Sequence, residues 1–438
     1  MEWYWALILL MGPLLVFMLF GLPVVFAFFL VNIVGAIIFL GGDPGLAQMV
    51  RNSIGAVAQI SMVPIPLFIF MGEILYHTGM AAMAIDAVDR IIARLPGRLS
   101  LVAVVGGTIF SSLSGSTLAN TAMLGSTLMP EMRKRGYDPT IAMGPIVATG
   151  GIAMLIPPSA LSVLLGSLAK ISIADLLIGG IVPGLMMAAL FFTYIIMRCV
   201  MNPRLAPTYD PGRMTFRERY VPFLINVVPL MGIFVVVVGS ILAGWATPTD
   251  SAALGAVASL VAALGYRKLS WENFKKSVVE TAKVTSMILF IIAGSLTFSQ
   301  ILAFSGATQG FGDMIGAAGL TPFQLVLGVI VVLLFLGCFM DQVSMMMITL
   351  PLFMPLALAA NINTVWLGIL MLISLEMGLA TPPFGLLLFV MKGVAPPDIT
   401  MRQVIVSALP FIVLELIVLV ALLLWPAVAL WLPGLASS

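Results

Sequence analysis

The sequence predicts an all-α polytopic membrane protein made of two inverted-topology repeats, each holding a helical hairpin and a proline-broken transmembrane helix. Three observations predict it. Hydrophobic residues are 61% of the 438 and charged residues only 9%, with a mean hydropathy of +1.17, whereas soluble domains carry about 25% charged residues. The stretches AMLIPPSALSVLLG (153–166) and GLATPPFGLLLFVM (378–391) each carry a proline pair where an uninterrupted apolar helix is expected. Those pairs, Pro157-Pro158 and Pro382-Pro383, lie 382 less 157, or 225, residues apart, and the same shift matches other parts of the chain.

The shift places Pro130 of TLMPEM on Pro355 of LFMPLA, and Met129 on Met354. It also places Pro23 of GLPVVFAF on Pro248 of ATPTDSAA, and Ser61-Met62 on Ser286-Met287. Residues 1–200 therefore match 226–425, which divides the chain into repeats over 1–220 and 221–438. A spanning helix needs ~20 apolar residues to cross a hydrocarbon core of ~30 Å. Residues 23–40, 176–197, 222–242 and 404–424 meet that, and 251–266 is a short one. The start, MEWYWALILLMGPLLVF, lacks a basic leader and a small-residue cleavage site, so it reads as a retained first helix. In order, the first copy reads as spans over 4–20, 22–41 and 54–78, a hairpin at about 99–135, a broken helix at about 139–172, and a span over 174–198. The second copy places its hairpin at about 322–360 and its broken helix at about 363–396.

If each hairpin enters and leaves on one side, each copy crosses five times, and an odd count turns the second copy upside down. Basic residues test this, because cytoplasmic loops are enriched in Lys and Arg. Arg90, Arg94 and Arg98 precede the first hairpin, and Arg133, Lys134 and Arg135 follow it. Arg198, Arg204, Arg213, Arg217 and Arg219 mark the loop between copies, and Lys268, Lys275 and Lys276 the next inward loop. The base of the second hairpin, AAGLTPF and LAANINTVW, has none. Trp3, Tyr4, Trp5, Trp425 and Trp431 suit an outward membrane interface, so both termini are expected on that face. A net charge of +2 argues against a nucleic-acid partner. Cys199, Cys338 and the single His77 cannot build a Cys/His metal site or a histidine-based triad.

Each unsatisfied backbone group in hydrocarbon costs several kcal/mol, so a broken helix persists only where something else satisfies it. Freed carbonyls at a half-helix end suit a cation, and the opposing half-helix offers N–H groups to an anion. Inverted repeats with discontinuous helices describe secondary transporters. The first hairpin tip, FSSLSGSTLANTAMLG, gathers Ser111, Ser112, Ser114, Gly115, Ser116, Thr117, Asn120 and Thr121. Small hydroxyl residues permit close backbone approach and supply oxygen ligands. The second tip, FLGCFMDQVS, carries Gly337, Asp341, Gln342 and Ser344. An acid deep in an apolar hairpin is costly, so Asp341 is the best single cation-ligand candidate; the alternative is a carboxylate capping the outgoing helix. Glu376 beside the second break is ambiguous, and Glu73 is expected to approach an interface.

At these residues the sequence resembles the large membrane subunit of the tripartite ATP-independent periplasmic (TRAP) transporters. The stretches that carry the resemblance are SLSGSTLANTAMLGSTLMPEM, GYDPTIA, GGIAMLIPPS, ISIADLLIGGIVPG and MGLATPPFGLLLFV. The resemblance implies an elevator-type mechanism in the bacterial inner membrane, with hairpins and broken helices sliding as a transport domain against a scaffold of the remaining helices, powered by sodium ions. It also implies a separate small membrane subunit and an extracytoplasmic solute-binding protein that delivers an organic-anion (carboxylate) substrate. By position it suggests Ser111, Ser114, Gly150, Gly151 and Pro157 for one sodium site, and Gly337, Asp341, Gly378 and Thr381 for the other. The substrate would lie near Ser116, Asn120 and Thr121.

A stand-alone divalent-anion/sodium symporter carries a Ser-Asn-Thr motif at both tips; here LANTA nearly matches it once, while MDQVS departs from it. A polytopic membrane enzyme would need a nucleophile elbow, a histidine cluster or a paired acidic motif, and the sequence has none of these.

Overall fold

The computed structural model describes residues 1–114, 116–157, 159–207 and 215–436, and all regular elements among them are helical. The first repeat runs α1 (Trp3–Leu19), α2 (Val24–Phe39), α3 (Asp43–Val57), α4 (Pro64–His77) and α5 (Met80–Ile91). It continues with α6 (Arg98–Ser114), α7 (Thr117–Lys134), α8 (Pro139–Leu155), α9 (Ala160–Ala169), α10 (Ile173–Gly179) and α11 (Ile181–Met201). A link carrying α12 (Phe216–Asn226) leads to α13 (Val228–Leu242), α14 (Pro248–Gly265), α15 (Trp271–Phe304), α16 (Ala307–Ala317) and α17 (Pro322–Gly337). The chain ends with α18 (Gln342–Ala359), α19 (Thr364–Ala380), α20 (Leu386–Val394), α21 (Met401–Leu424) and α22 (Ala427–Ala436). Among the described residues, seven helices are long and apolar enough to cross a membrane, or eight if α8 and α9, bent by 49°, count as one span.

The 225-residue shift recurs in the helices. Both bounds of α18 fall 225 residues after those of α7, and both bounds of α19 after those of α8. The N-caps correspond too, although their residue types differ. Ser116 accepts from the Ala119 N–H, and its counterpart Asp341 accepts from the N–H groups of Val343 and Ser344. Asp138 accepts from Thr140 N–H, and its counterpart Asn363 from Trp366 N–H. Ser, Asp and Asn all satisfy the first free N–H groups of a helix, so the start position survives a change of residue.

One expectation differs. The span over 54–78 is divided, because α3 ends at Val57 and α4 starts at Pro64. Its counterpart lies within the unbroken 34-residue α15. Pro64 and Pro66 lack the N–H that a continuous helix needs, whereas Leu289 and Ile291 occupy their places in α15.

The two hairpins open at opposite ends of the molecule. At the base of the first, the Arg133 guanidinium donates to Asp398 Oδ1 at 2.6 Å, just before α21. The Asp138 N–H there donates to Leu205 O at 2.8 Å, and Arg219 donates to Ile91 O at 2.5 Å. At the base of the second, Trp366 Nε1 donates to Leu422 O at 2.8 Å, near the other end of α21. The 24 residues of α21 span ~36 Å at ~1.5 Å per residue. The basic end thus carries the first hairpin base, and the second base lies a helix length away.

The hairpins pack on the broken helices, α6 against α8 and α17 against α19, and α8 packs on α19 and α21. Residues 141–155 of α8 and 367–380 of α19 are buried throughout, as expected of helices apolar on every face. Around them α2, α4, α14 and α15 pack on one another. Exposed Met231, Val235 and Val236 turn a face of α13 outward, which suits lipid.

Candidate functional site

Where the first hairpin tip meets the first break, Ser111, Thr117, Ala153, Met154, Ser159, Ala160 and Leu161 line a cavity of about 10 Å³. That is about the room one water needs, far too little for an organic anion. Ser111 is buried, and its Oγ has no hydrogen-bond partner among the described residues. Across the break, Ser162 Oγ donates to Met154 O at 2.6 Å, and Ser159 accepts from Ser162 N–H as the N-cap of α9. A carbonyl end, a helix N-terminus and three hydroxyl residues, Ser111, Thr117 and Ser159, therefore converge on a space of atomic size.

The second seam is built differently. Gly337 at the end of α17 lies against Gly378 of α19, where a Cβ on Gly337 would sit 2.5 Å from Gly378 Cα. Between tip and break, the Cys338 thiol is 3.6 Å from Thr381 O and 3.8 Å from Pro382 O. Asp341 caps α18 through Oδ1, 3.0 Å from Val343 N and 3.1 Å from Ser344 N, while Ser344 Oγ donates to its Oδ2. Thr381 Oγ1 donates to Met377 O at 2.6 Å.

The two halves touch on their pseudo-two-fold axis. Thr117 and Gln342 are counterparts, the first residues of α7 and α18, and Gln342 Nε2 donates to Thr117 Oγ1 at 2.8 Å. Contact between counterparts is the mark of an isologous two-fold arrangement. The same amide donates to Glu376 Oε2 at 2.5 Å. A carboxylate only accepts, so this pairing also fixes which way the amide points. Glu376 is 1% exposed and rests on Gly150, where a Cβ would overlap its carboxyl and lie 2.7 Å from the Thr117 methyl. Glu415 of α21, also 1% exposed, rests likewise on Gly151, where a Cβ would lie 2.6 Å from its Oε1. Adjacent glycines in α8 thus seat two buried acids.

The expected residues divide accordingly. Ser111 lines the first cavity, while Gly150 and Gly151 sit before the break under the two acids. Pro157 lines a separate apolar cavity of about 360 Å³, with Ile109, Ile156, Met71 and Phe234. Gly337 and Gly378 meet at the second seam and Cys338 approaches the Thr381 carbonyl there, while Asp341, three residues further along, is engaged as a cap. Ser116 caps α7. Asn120 is buried, donating to Thr149 Oγ1 at 3.2 Å, and Thr121 is buried as well. The side chains of Ser112 and Ser114, and Gly115, Pro158 and Arg213, lie outside the described residues. Glu73 pairs with His77 at 3.2 Å.

Sequence reasoning passed over Ser159, Ser162 and Glu415, and weighed Cys338 only as a metal or triad residue. Glu415 had a signal, an acid within the apolar run VLELIVLV, because ionisable residues at membrane depth are functional by default. Ser159 had one as well, a capping residue following a proline pair.

Residues 11–428 match the family described as Tripartite ATP-independent periplasmic transporter, DctM component. The chain is 32% identical over 379 residues to the C4-dicarboxylate TRAP transporter large permease protein DctM of Pseudomonas aeruginosa, covering 85% of this chain and 86% of that one. It is 30% identical over 427 residues to the ectoine/5-hydroxyectoine TRAP transporter large permease protein UehC of Ruegeria pomeroyi, covering 97% and 98%. The fold is similar to that of the Alcanivorax borkumensis YdaH transporter, with a TM-score of 0.61 at 14% identity over 90% of each chain. With the hairpins and broken helices built as described and the match running over nearly its whole length, the chain belongs to the family of large, DctM-type membrane subunits of tripartite ATP-independent periplasmic transporters.

Proposed function

We propose that this multi-pass subunit imports an organic anion, a carboxylate, with sodium ions, taking it from an extracytoplasmic binding protein in complex with a small membrane subunit. The observation that carries the reading is the first tip–break seam. An atom-sized cavity there is lined by Ser111, Thr117 and Ser159, with an unpartnered buried hydroxyl. Hard oxygens around a space that excludes anything larger suit a small cation that has exchanged its water shell for protein oxygens. The second seam offers the Thr381 and Pro382 carbonyls beside Cys338, with the carboxylate of Asp341 three residues further along the chain. Between the seams, the N-termini of α7 and α18 approach each other through the Thr117–Gln342 pair, and two helix N-termini favour an anion. Ser116, at one of these ends, is the substrate contact in this reading, while Asn120 and Thr121 are buried and Asn120 donates to Thr149.

An elevator motion fits the packing. The broken helices form a buried core flanked by the hairpins, and the apolar cavity at Pro157 separates part of this assembly from Met71, Leu75, Leu230 and Phe234 of α4 and α13. Apolar surfaces slide without leaving polar groups unpaired in lipid. In this reading both termini lie on the outer face of the inner membrane, opposite the Arg-rich end, as the enrichment of Lys and Arg in cytoplasmic loops supports.

The test is reconstitution in liposomes with an inward sodium gradient. Uptake is expected only when the small subunit and the loaded binding protein encoded with this chain are both present. Sodium-driven uptake by this chain alone would instead identify a stand-alone symporter.

A further inference from the structure

The two hairpin tips and the two broken helices meet at one carboxyl group. Gln342 opens the return helix of the second hairpin and Thr117 that of the first, and Glu376 and Gly150 lie in α19 and α8, each ahead of its break. The Gln342 amide spends its two N–H groups on Thr117 Oγ1 and Glu376 Oε2. The Glu376 carboxyl is in turn held against the bare Cα of Gly150. Only Gly150 admits it, since any Cβ at that position would occupy the place of the carboxyl. A single side chain therefore touches, directly or through one amide, all four elements that build the two seams. None of the four residues is needed to close a helix, because Ser116 and Asp341 already cap α7 and α18.

We propose that Glu376 is a positioning residue that clamps the two hairpin return helices together across the pseudo-two-fold axis, so that an ion bound at one seam raises affinity at the other. The clamp deepens the sodium-coupled reading above and rests on it for the ions. Its geometry stands independently. Without it, each hairpin tip can adjust to its own seam alone. With it, a shift of Thr117 at the first cavity is passed through the Gln342 amide to the residue beside Asp341. Coupling of this kind is reciprocal between the two seams.

Two measurements on the full chain test the proposal. The first needs no transport. Spin labels on cysteines replacing exposed Ser126 of α7 and Leu358 of α18 report the distance between the return helices, with buried Cys199 and Cys338 left unlabelled. The unmodified clamp should give one narrow distance distribution. Glu376→Gln, and separately Gly150→Ala, should broaden it at least twofold. The exchanged pair Glu376→Gln with Gln342→Glu restores a carboxyl opposite an amide and should narrow the distribution again. The second measurement is the steepness of uptake against sodium in the three-part system. A Hill coefficient near two for two coupled sites should fall toward one in Glu376→Gln and recover in the exchanged pair. Unchanged distances and unchanged steepness in a folded variant would overturn the clamp. So would a lower unfolding temperature with unchanged steepness, which is what a merely structural acid gives. Absence of sodium dependence in the unmodified complex would sink the sodium reading, and the distance distributions would still decide the clamp.

Discussion

The two tip–break seams occupy equivalent places in the repeats and are made of different chemistry. In the first, hydroxyls of Ser111, Thr117 and Ser159 surround a cavity of about 10 Å³. In the second, Gly337 and Gly378 touch backbone to backbone, Cys338 faces the carbonyls of the break, and Asp341 caps the return helix. The residue in the place of Gly378 is Ala153, which lines the first cavity. The difference teaches that, in the hairpin return helices and the broken helices, the repeat keeps where backbone starts, stops and breaks and lets side-chain chemistry diverge around those points. Caps show the same freedom, with Asp341 in the place of Ser116 and Asn363 in the place of Asp138. Four predictions test how far the seams are equivalent in place and different in chemistry.

The largest effect is all-or-none and concerns orientation. Exposed Lys134 and its counterpart Ala359 end the two return helices at opposite ends of the molecule. Cysteines placed there one at a time should react with an impermeant reagent from opposite sides of the membrane. Reaction from the same side would break the two-fold relation itself.

Next comes packing. Gly378→Ala would set a Cβ 2.9 Å from Gly337 Cα and 3.1 Å from Leu333 O, against backbone with no flexible end to yield. Overpacking of this kind costs ~1–3 kcal/mol, and the close approach at the second seam should be lost, with a lower unfolding temperature and little uptake. The converse change Ala153→Gly at the first seam should cost about 1 kcal/mol as a helix-interior glycine and leave uptake measurable. Equal losses from the two would mean that the seams are packed alike.

Ion affinity separates the seams more finely. Asp341→Asn keeps a capping side chain, since Asn and Asp cap about equally, but removes a ligand charge. A loss of ~1.4 kcal/mol raises the sodium concentration for half-maximal uptake about tenfold. Ser111→Ala removes one neutral oxygen, worth ~1 kcal/mol, and should raise it roughly fivefold. An unchanged sodium requirement in folded Asp341→Asn would leave Asp341 as a cap only.

The smallest effect lies at the basic end. The hydrogen bond from Arg133 holds the Asp398 carboxyl below its ordinary range. With the folded value lowered, the contact contributes above the ordinary carboxylate range and is lost as pH falls through the lowered value. Both side chains are solvent-exposed, 55% and 59%, and exposed pairs are screened. Asp398→Asn should therefore leave the unfolding temperature at neutral pH unchanged, and should flatten only its decline in acid. A large loss at neutral pH would make this bridge a structural tie between the first hairpin base and α21.

Much of this arrangement was legible beforehand, and the reasons are local. Apolar length marks the spans, proline pairs mark the breaks, and Ser, Asp and Asn mark the helix starts, because each acts on neighbouring backbone. The span at 54–78 was misread as continuous although its own prolines, Pro64 and Pro66, carried the signal that divides it from α3. Asp341 was visible as an unusual acid, yet the sequence left its two roles open, and its cap contacts appear only once the Ser344 and Val343 N–H groups are placed.

By itself the sequence determined the helical class, the 225-residue repeat, the positions of the hairpins and breaks, and the family. These depend on residue type and on spacing along the chain, which a linear reading contains. Only the tertiary structure decided which side chains share a seam. It moved Pro157 to an apolar cavity, turned Asn120 inward onto Thr149, and gave Gly150 and Gly151 to Glu376 and Glu415. The Thr117–Gln342–Glu376 clamp joins residues up to 259 positions apart, from Thr117 to Glu376. Such contacts follow from how the two repeats close around their axis, where the absence of a Cβ at one glycine decides whether a distant carboxyl has room.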